Sequence, residues 1–389
     1  MNETWDLSVF YQSFQDPALR ADIDAIKELA AGTEALLSAQ KPDSDKLEDV
    51  VRAREKLTNL LNKTYGYVEL TLAADTNHAD ALRYLGEMSN LMVDVQLAGS
   101  QWVRYVGGVA DLEGCIAGSE TLKANAFILR EMAREAVHML PADMEKWMLR
   151  MSLNGGDAFS KLRDRLMGSH TVELDGKTMP LPAVRGLAYD PDPAVRKAAY
   201  EAELASYKKV ETPMAYCLSC IKGEAITMCE AKGYSDNLTQ QLSESRMDRE
   251  TLDALWTAVR EALPDFRRYL KAKAKILGHT NGLPFYDLFA PIGRDSRQYT
   301  IQEAHDLLVN TFHQVNPEMG RFIDHAFANR WIDLYPREGK EGGAFCAGFH
   351  QLGISRVLTN FVGSFSDVST IAHELGHGWH NHCLERVPV

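Results

Sequence analysis

The chain has 389 residues, 45% of them hydrophobic and 25% charged, with a formal net charge of −12. That is enough for a large core and for two domains, and the acidic balance argues against nucleic acid and anionic membrane surfaces as partners. No apolar run is long enough to span a bilayer. The opening Met1-Asn2-Glu3-Thr4-Trp5-Asp6 carries neither the basic nor the apolar segment of a secretory signal, so the cytoplasm is the expected compartment.

From residue 15 to about 165 the pattern is helical almost throughout. Leu47, Val50, Val51, Leu57, Leu60 and Leu61 form one apolar stripe. Leu82, Leu85, Met88, Met92 and Val95 form a second, and Ala126, Leu129, Met132, Ala133, Ala136 and Val137 a third. Ser44 and Asn77 are the expected caps, and Pro141 marks a stop and restart. No fixed repeat emerges, which argues against a solenoid, and His138 reads as a core or surface residue and not a ligand.

Residues 171–179 alternate around Asp175-Gly176, the signature of a hairpin. Asp192 then caps a helix with Pro193 at its first position, and helical patterns run on from 193 to 330, with Pro264 expected to kink or divide one of them. Cys217 and Cys220 form a C-x-x-C within a helical pattern and without a second such pair. They read as helix-packing cysteines, and six cysteines in this length make no disulfide framework. Thr300 to Glu303 is a capping box, and Asn316-Pro317 opens another helix.

The character changes after residue 340. Gly342 to His350 and Ile354 to Phe361 read as two short strands, the first rich in small residues that allow close backbone approach and pairing with an extended peptide. His350 there reads as structural. Next comes His373-Glu374-Leu375-Gly376-His377. Four residues apart on a helix, His373 and His377 share a face and can hold one Zn²⁺, while Glu374 is placed to act on a water beside it. Val368, Ile371, Ala372, Leu375 and Trp379 back the helix, and Ser366 or Asp367 is the expected cap. A catalytic zinc needs a third protein ligand. His380 and Glu385 are the nearby candidates; a metzincin pattern fails, because positions 380 and 383 hold His and Cys.

Arg337-Glu338-Gly339-Lys340-Glu341-Gly342-Gly343-Ala344-Phe345-Cys346, Asn360 to Val368 and the H-E-x-x-H together resemble the oligoendopeptidase F branch of the thimet-oligopeptidase family. Trp5-Asp6-Leu7-Ser8 with Phe10-Tyr11, and the segment from Asp190-Pro191-Asp192 to Tyr200-Glu201, extend the likeness over essentially the whole chain. The resemblance implies a mainly α, elongated, multi-helix zincin-like peptidase with a small β-sheet beside the H-E-x-x-H helix. It implies a helical domain over residues 1–165 and the start of a zinc-peptidase domain over 166–389, with strands within 343–361 and the H-E-x-x-H helix over 368–384.

It implies His373 and His377 as zinc ligands, Glu374 as general base, and Gly343, Ala344 and Phe345 along the substrate backbone; some family members carry His at the position of Gly343. Short peptides are the implied substrates, in the cytoplasm. The family takes its third ligand and its oxyanion donors from residues beyond the point corresponding to Val389. The expectation is thus a fragment completed by a C-terminal segment or chain. Two other readings stay open: a non-catalytic helical module that binds peptides or a partner with an incomplete metal site, and a related zinc carboxypeptidase or dipeptidase.

Overall fold

The computed structural model describes residues 3–293, 297–385 and 387. It is mainly helical, and packing divides the chain into two compact units: Met1–Met139 with Ser296–Val389, and Leu140–Asp295. These bounds differ from the sequence division at 165/166. The N-terminal segment is built into the sheet that precedes the H-E-x-x-H helix. Asp6 N–H donates to Arg330 O at 2.8 Å, Leu334 N–H donates to Glu3 O at 2.9 Å, and the buried Arg356 guanidinium donates to Asp6 O at 2.9 Å. Phe10 stands edge-on to Phe349 with centroids 4.6 Å apart. Amphipathic stripes carry no information about such distant pairings.

In the first unit, Asp16 caps α1 (Pro17–Ala31), followed by α2 (Thr33–Ser38), α3 (Asp43–Ala74), α4 (Ala79–Gly108), α5 (Leu112–Gly118), α6 (Glu120–Ala124) and α7 (Ala126–Glu135). Helices α1, α3, α4 and α7 bury Leu19, Ile23, Leu47, Val50, Met88 and Leu129 in one core, so the three apolar stripes are core faces. Leu82 and Val137, counted among them, are exposed. The caps differ from expectation. Helix α3 begins at Asp43 after Pro42, ahead of Ser44, and His78 caps α4 in place of Asn77, its Nδ1 accepting from Ala81 N–H at 3.3 Å. A neutral imidazole supplies the same acceptor as an Asx oxygen.

Arg20 donates to both Glu87 oxygens, at 2.7 and 2.9 Å, and Lys27 adds a bond at 3.0 Å, tying α1 to α4. Arg20 first, then Lys27, holds the Glu87 carboxyl down to about 2 from its ordinary 4.5. With the folded value below the unfolded one, the contribution is present above pH 4.5 and lost as pH falls toward 2. Glu87→Gln should therefore lower stability at neutral pH by about 1 kcal/mol or less, since the pair is partly solvated. Thermal unfolding at stepped pH should show that gap closing in acid.

The second unit contains α8 (Ala142–Ser152), α9 (Gly156–Gly168), β1 (Thr171–Leu174), β2 (Lys177–Pro180), α10 (Leu181–Gly186), α11 (Pro193–Ser206), α12 (Glu211–Ala231), α13 (Asn237–Glu244) and α14 (Arg249–Ile276). Strands β1 and β2 form the expected hairpin, with Asp175 and Gly176 at φ 51° and 74°, as a two-residue turn with both φ positive requires. Asp192 caps α11 with Pro193 at its start. Buried Arg196 pairs with buried Asp287 at 2.8 Å, whose other oxygen meets His279 Nε2 at 2.5 Å. Cys217 is buried and Cys220 half-buried on α12, both unbridged. Helix α14 runs on through Pro264. Pro264 and Arg260, the residue whose carbonyl loses its donor, are both exposed, so that carbonyl is open to solvent and the break costs less than in a buried helix.

The chain re-enters the first unit with α15 (Ile301–Val315), opened by the Thr300/Glu303 capping box, and α16 (Pro317–Ala328), capped by Asn316. Strands β3 (Ile332–Asp333), β4 (Phe345–Phe349) and β5 (Ile354–Leu358) form a sheet in the order β3-β5-β4, with β5 parallel to β3 and antiparallel to β4. Side chains alternate across it. Phe345, Ala347, Phe349 and Leu358 join the core of α1, α3 and α4, whereas Cys346 and Val357 join a second core with Phe322 and Ile323 of α16 and with Ile371 and Leu375 of α17 (Phe365–Cys383). Among the described residues no strand pairs with the outer side of β4, and no helix is long and apolar enough to cross a membrane.

Candidate active site

Helix α17 begins earlier than its sequence suggests. Ser364 is the cap, and Asp367 is the third helical residue of a capping box, accepting from Ser364 N–H at 2.8 Å and Val362 N–H at 3.1 Å. Those bonds satisfy otherwise unpaired donors and fix where the helix starts. Val368, Ile371 and Leu375 are buried, and Ala372 and Trp379 pack against the same core. Each fully buried aliphatic side chain contributes about 1.5–3 kcal/mol, so the helix is held firmly by that face.

The opposite face carries the chemistry. His373 and His377 are exposed, their rings perpendicular with centroids 4.7 Å apart, and their Nε2 atoms converge to 3.2 Å. Two nitrogens each about 2.0–2.1 Å from a tetrahedral zinc would lie about 3.3 Å apart, so this pair fits that ion. Glu374, on the same turn, is buried, 8% exposed. It sits by Cys346 of β4, whose thiol is pushed up to about 11 by burial first, with the Glu374 charge adding to the shift. That thiol is neutral and inert as a nucleophile at ordinary pH.

The helix lies close against β4. A Cβ built on Gly348 would stand 2.4 Å from Asn381 Nδ2, which itself donates to Ser355 Oγ at 3.3 Å, so a side chain there would displace the Asn381 amide. Of the residues expected along a peptide backbone, Phe345 is the first residue of β4. Gly343 and Ala344 lie in the preceding loop, Gly343 at φ +87°, a conformation that favours glycine. His380 is exposed further along α17, and the Glu385 carboxylate lies 3.3 Å from His382 Nδ1. Among the described residues no third His, Cys, Asp or Glu joins the pair in a three-donor cluster. His350 sits in a single 3₁₀ turn between β4 and β5.

Sequence reasoning had no signal for what holds the loop before β4. Asp333 is buried and the Lys340 side chain is enclosed, with Lys340 Nζ 2.6 Å from Asp333 Oδ1, and Arg337 bonds both Asp333 oxygens at 2.6 and 3.0 Å. Lys340 Nζ also donates to the carbonyls of Asp333, Tyr335 and Thr359. Asn360 Nδ2 then donates to Glu341 O at 3.0 Å and Gly343 O at 2.9 Å. Arg337, Lys340 and Asn360 were visible only as parts of the family motif.

An H-E-x-x-H helix packed on a small sheet, with an open edge strand beside it, is the architecture of the zincin class. The chain belongs to peptidase family M3, which its residues 186–385, just over half its length, match. It is 23% identical to Oligopeptidase PepF of Bacillus subtilis over 98% of this chain and 58% of that protein. To an Oligoendopeptidase F homolog of Lactococcus lactis it is 23% identical over 97% of this chain and 64% of that one. The chain thus spans less than two thirds of the length of these relatives. Among solved structures, a putative peptidase from Chlamydophila abortus shares the fold with a TM-score of 0.73 at 22% identity, over 99% of this chain and 65% of that one. A putative oligoendopeptidase F from Bacillus anthracis gives 0.69 at 16%, over 94% and 66%.

Proposed function

We propose that this chain carries the metal-binding and proton-transfer centre of a zinc-dependent endopeptidase acting on short peptides, with the cytoplasm as its expected compartment. The observation that carries the reading is the convergence of His373 and His377 Nε2 to 3.2 Å with Glu374 on the same turn, beside a strand whose outer edge is unpaired among the described residues. Membership of family M3 and likeness to proteins named oligoendopeptidase F support it.

His373 and His377 would hold the zinc, which when bound supplies Lewis-acid polarisation of a scissile carbonyl. Glu374 takes a proton from the attacking water and passes it to the departing amine; its burial strengthens that transfer by excluding bulk solvent. The outer edge of β4 holds the peptide extended through main-chain hydrogen bonds, with Gly343 and Ala344 admitting its backbone ahead of Phe345.

Zinc titration should saturate at about one metal per chain, held through His373 and His377. His373→Ala and His377→Ala should each weaken zinc binding by more than the roughly 10–100-fold that follows loss of an outer-shell partner. Zinc retention unchanged in both variants would refute the assignment. The two-donor set among the described residues also fits a second reading, a peptide-binding module without turnover. Product analysis on peptides of graded length separates the two, and internal cleavage excludes carboxypeptidase and dipeptidase action.

A further inference from the structure

The face of β4 turned away from α17 borders a cavity of about 540 Å³, walled by α3, the start of α4 and the strand. Its apolar lining includes Ala73, Leu85, Phe345 and Phe349, and Glu69 and Glu341 stand exposed at its rim. Phe345, Ala347 and Phe349 are alternate residues of β4, whose outer edge pairs with no strand among the described residues; their side chains line the cavity, while Cys346 and Gly348 face α17. A peptide paired along that edge must alternate in the same way. Every second side chain would point toward this cavity and the others toward the metal-binding helix.

We propose that this cavity is a specificity pocket for a lysine or arginine side chain of the bound peptide, a proposal that rests on β4 being the peptide-binding edge. An aliphatic stem matches the leucine and phenylalanine wall, and a cationic head reaches the two carboxylates at the mouth. The wall desolvates the Glu69 carboxyl and, with Glu341 facing it, keeps it above the usual carboxylate range, the Tyr65 hydroxyl pulling the other way. A cation placed between the two would relieve that repulsion. The loop carrying Glu341 is anchored to the end of α3, with Glu341 N–H donating to Ala73 O at 2.9 Å and Thr76 N–H to Gly339 O at 2.7 Å, so the mouth has a fixed geometry.

The test scans lysine, norleucine and glutamate through successive positions of a fluorescent peptide. Affinity is read by anisotropy on the full chain in its Glu374→Gln form, so that binding is measured without turnover. One position should prefer lysine over norleucine by about tenfold or more, the size of one charge-assisted hydrogen bond. Glu69→Gln with Glu341→Gln should bring that ratio near unity, and Glu69→Lys should turn the preference toward glutamate. Leu85→Trp, filling the cavity, should cost affinity for lysine and norleucine peptides while sparing alanine at that position. A lysine-to-norleucine ratio that is flat in the parent or unaltered by the carboxylate changes, or lysine and norleucine affinities unaltered by Leu85→Trp, overturns the pocket. Zinc retention and internal cleavage by the unsubstituted protein are read separately, so the pocket can fail while the peptidase reading stands.

Discussion

Replacing Glu374 by Gln should leave zinc content unchanged and reduce peptide hydrolysis by about 10²–10⁴-fold or more, the contribution of a well-placed general base. The geometry makes this change unusually clean. Glu374 is buried between α17 and β4, so an isosteric amide keeps the packing and removes only the proton acceptor. His373 and His377 project from the exposed face of the same helix and keep their 3.2 Å convergence. The expected signature is a fall in kcat with peptide affinity and zinc stoichiometry retained, as befits a group acting mainly in the transition state. Residual hydrolysis near the parent rate would reassign the base. Loss of zinc together with activity would mean that Glu374 supports the metal, an outcome that dialysis and metal analysis read directly.

How much of this was legible beforehand depends on the range of the interactions concerned. The H-E-x-x-H helix, its apolar backing and the Thr300, Asn316 and Asp192 caps are local, set by spacings of three and four residues, and the structure places them accordingly. The hairpin at Asp175-Gly176 was equally local. Cap positions moved by one to three residues where an uncommon acceptor took over, as with His78, or where Asp367 served inside the capping box. What could not be read was non-local. Nothing in Trp5 to Phe10 announces packing against β4 more than 300 residues later, and so the compact units do not follow the linear division. Lys340 lies in a charged, glycine-rich loop, the usual mark of an exposed segment, yet its side chain is wholly buried. The mainly α fold therefore followed from short-range pattern, whereas the support beneath β4 required the assembled chain.

That support gives the largest expected loss of stability. Asp333→Ala should destabilise the first unit by about 3–5 kcal/mol, the cost of leaving a buried charge without its partner. Lys340 has 0% side-chain exposure and cannot swing into water when its carboxylate is removed. Burial already holds its ammonium below the ordinary lysine value even with Asp333 beside it. Lys340→Met should cost less, because Arg337 still pairs with Asp333 through two bonds and is itself partly solvated. Three carbonyls lose a donor in that variant, so it is not neutral. The discriminating measurement is the double variant: removing both charges should be less destabilising than Asp333→Ala alone, giving a favourable coupling in the cycle. Additive losses would mean that the ion pair contributes no more than its packing. The functional consequence follows from position. Asp333 ends β3, and Lys340 ties its backbone to that of Thr359 just past β5 while Asn360 holds Gly343, so loosening the network frees the loop ahead of β4. Asp333→Ala should therefore weaken peptide binding before it affects zinc, because the bonds it removes hold the loop ahead of β4, whereas the two histidines stand on α17, anchored by buried Ile371 and Leu375.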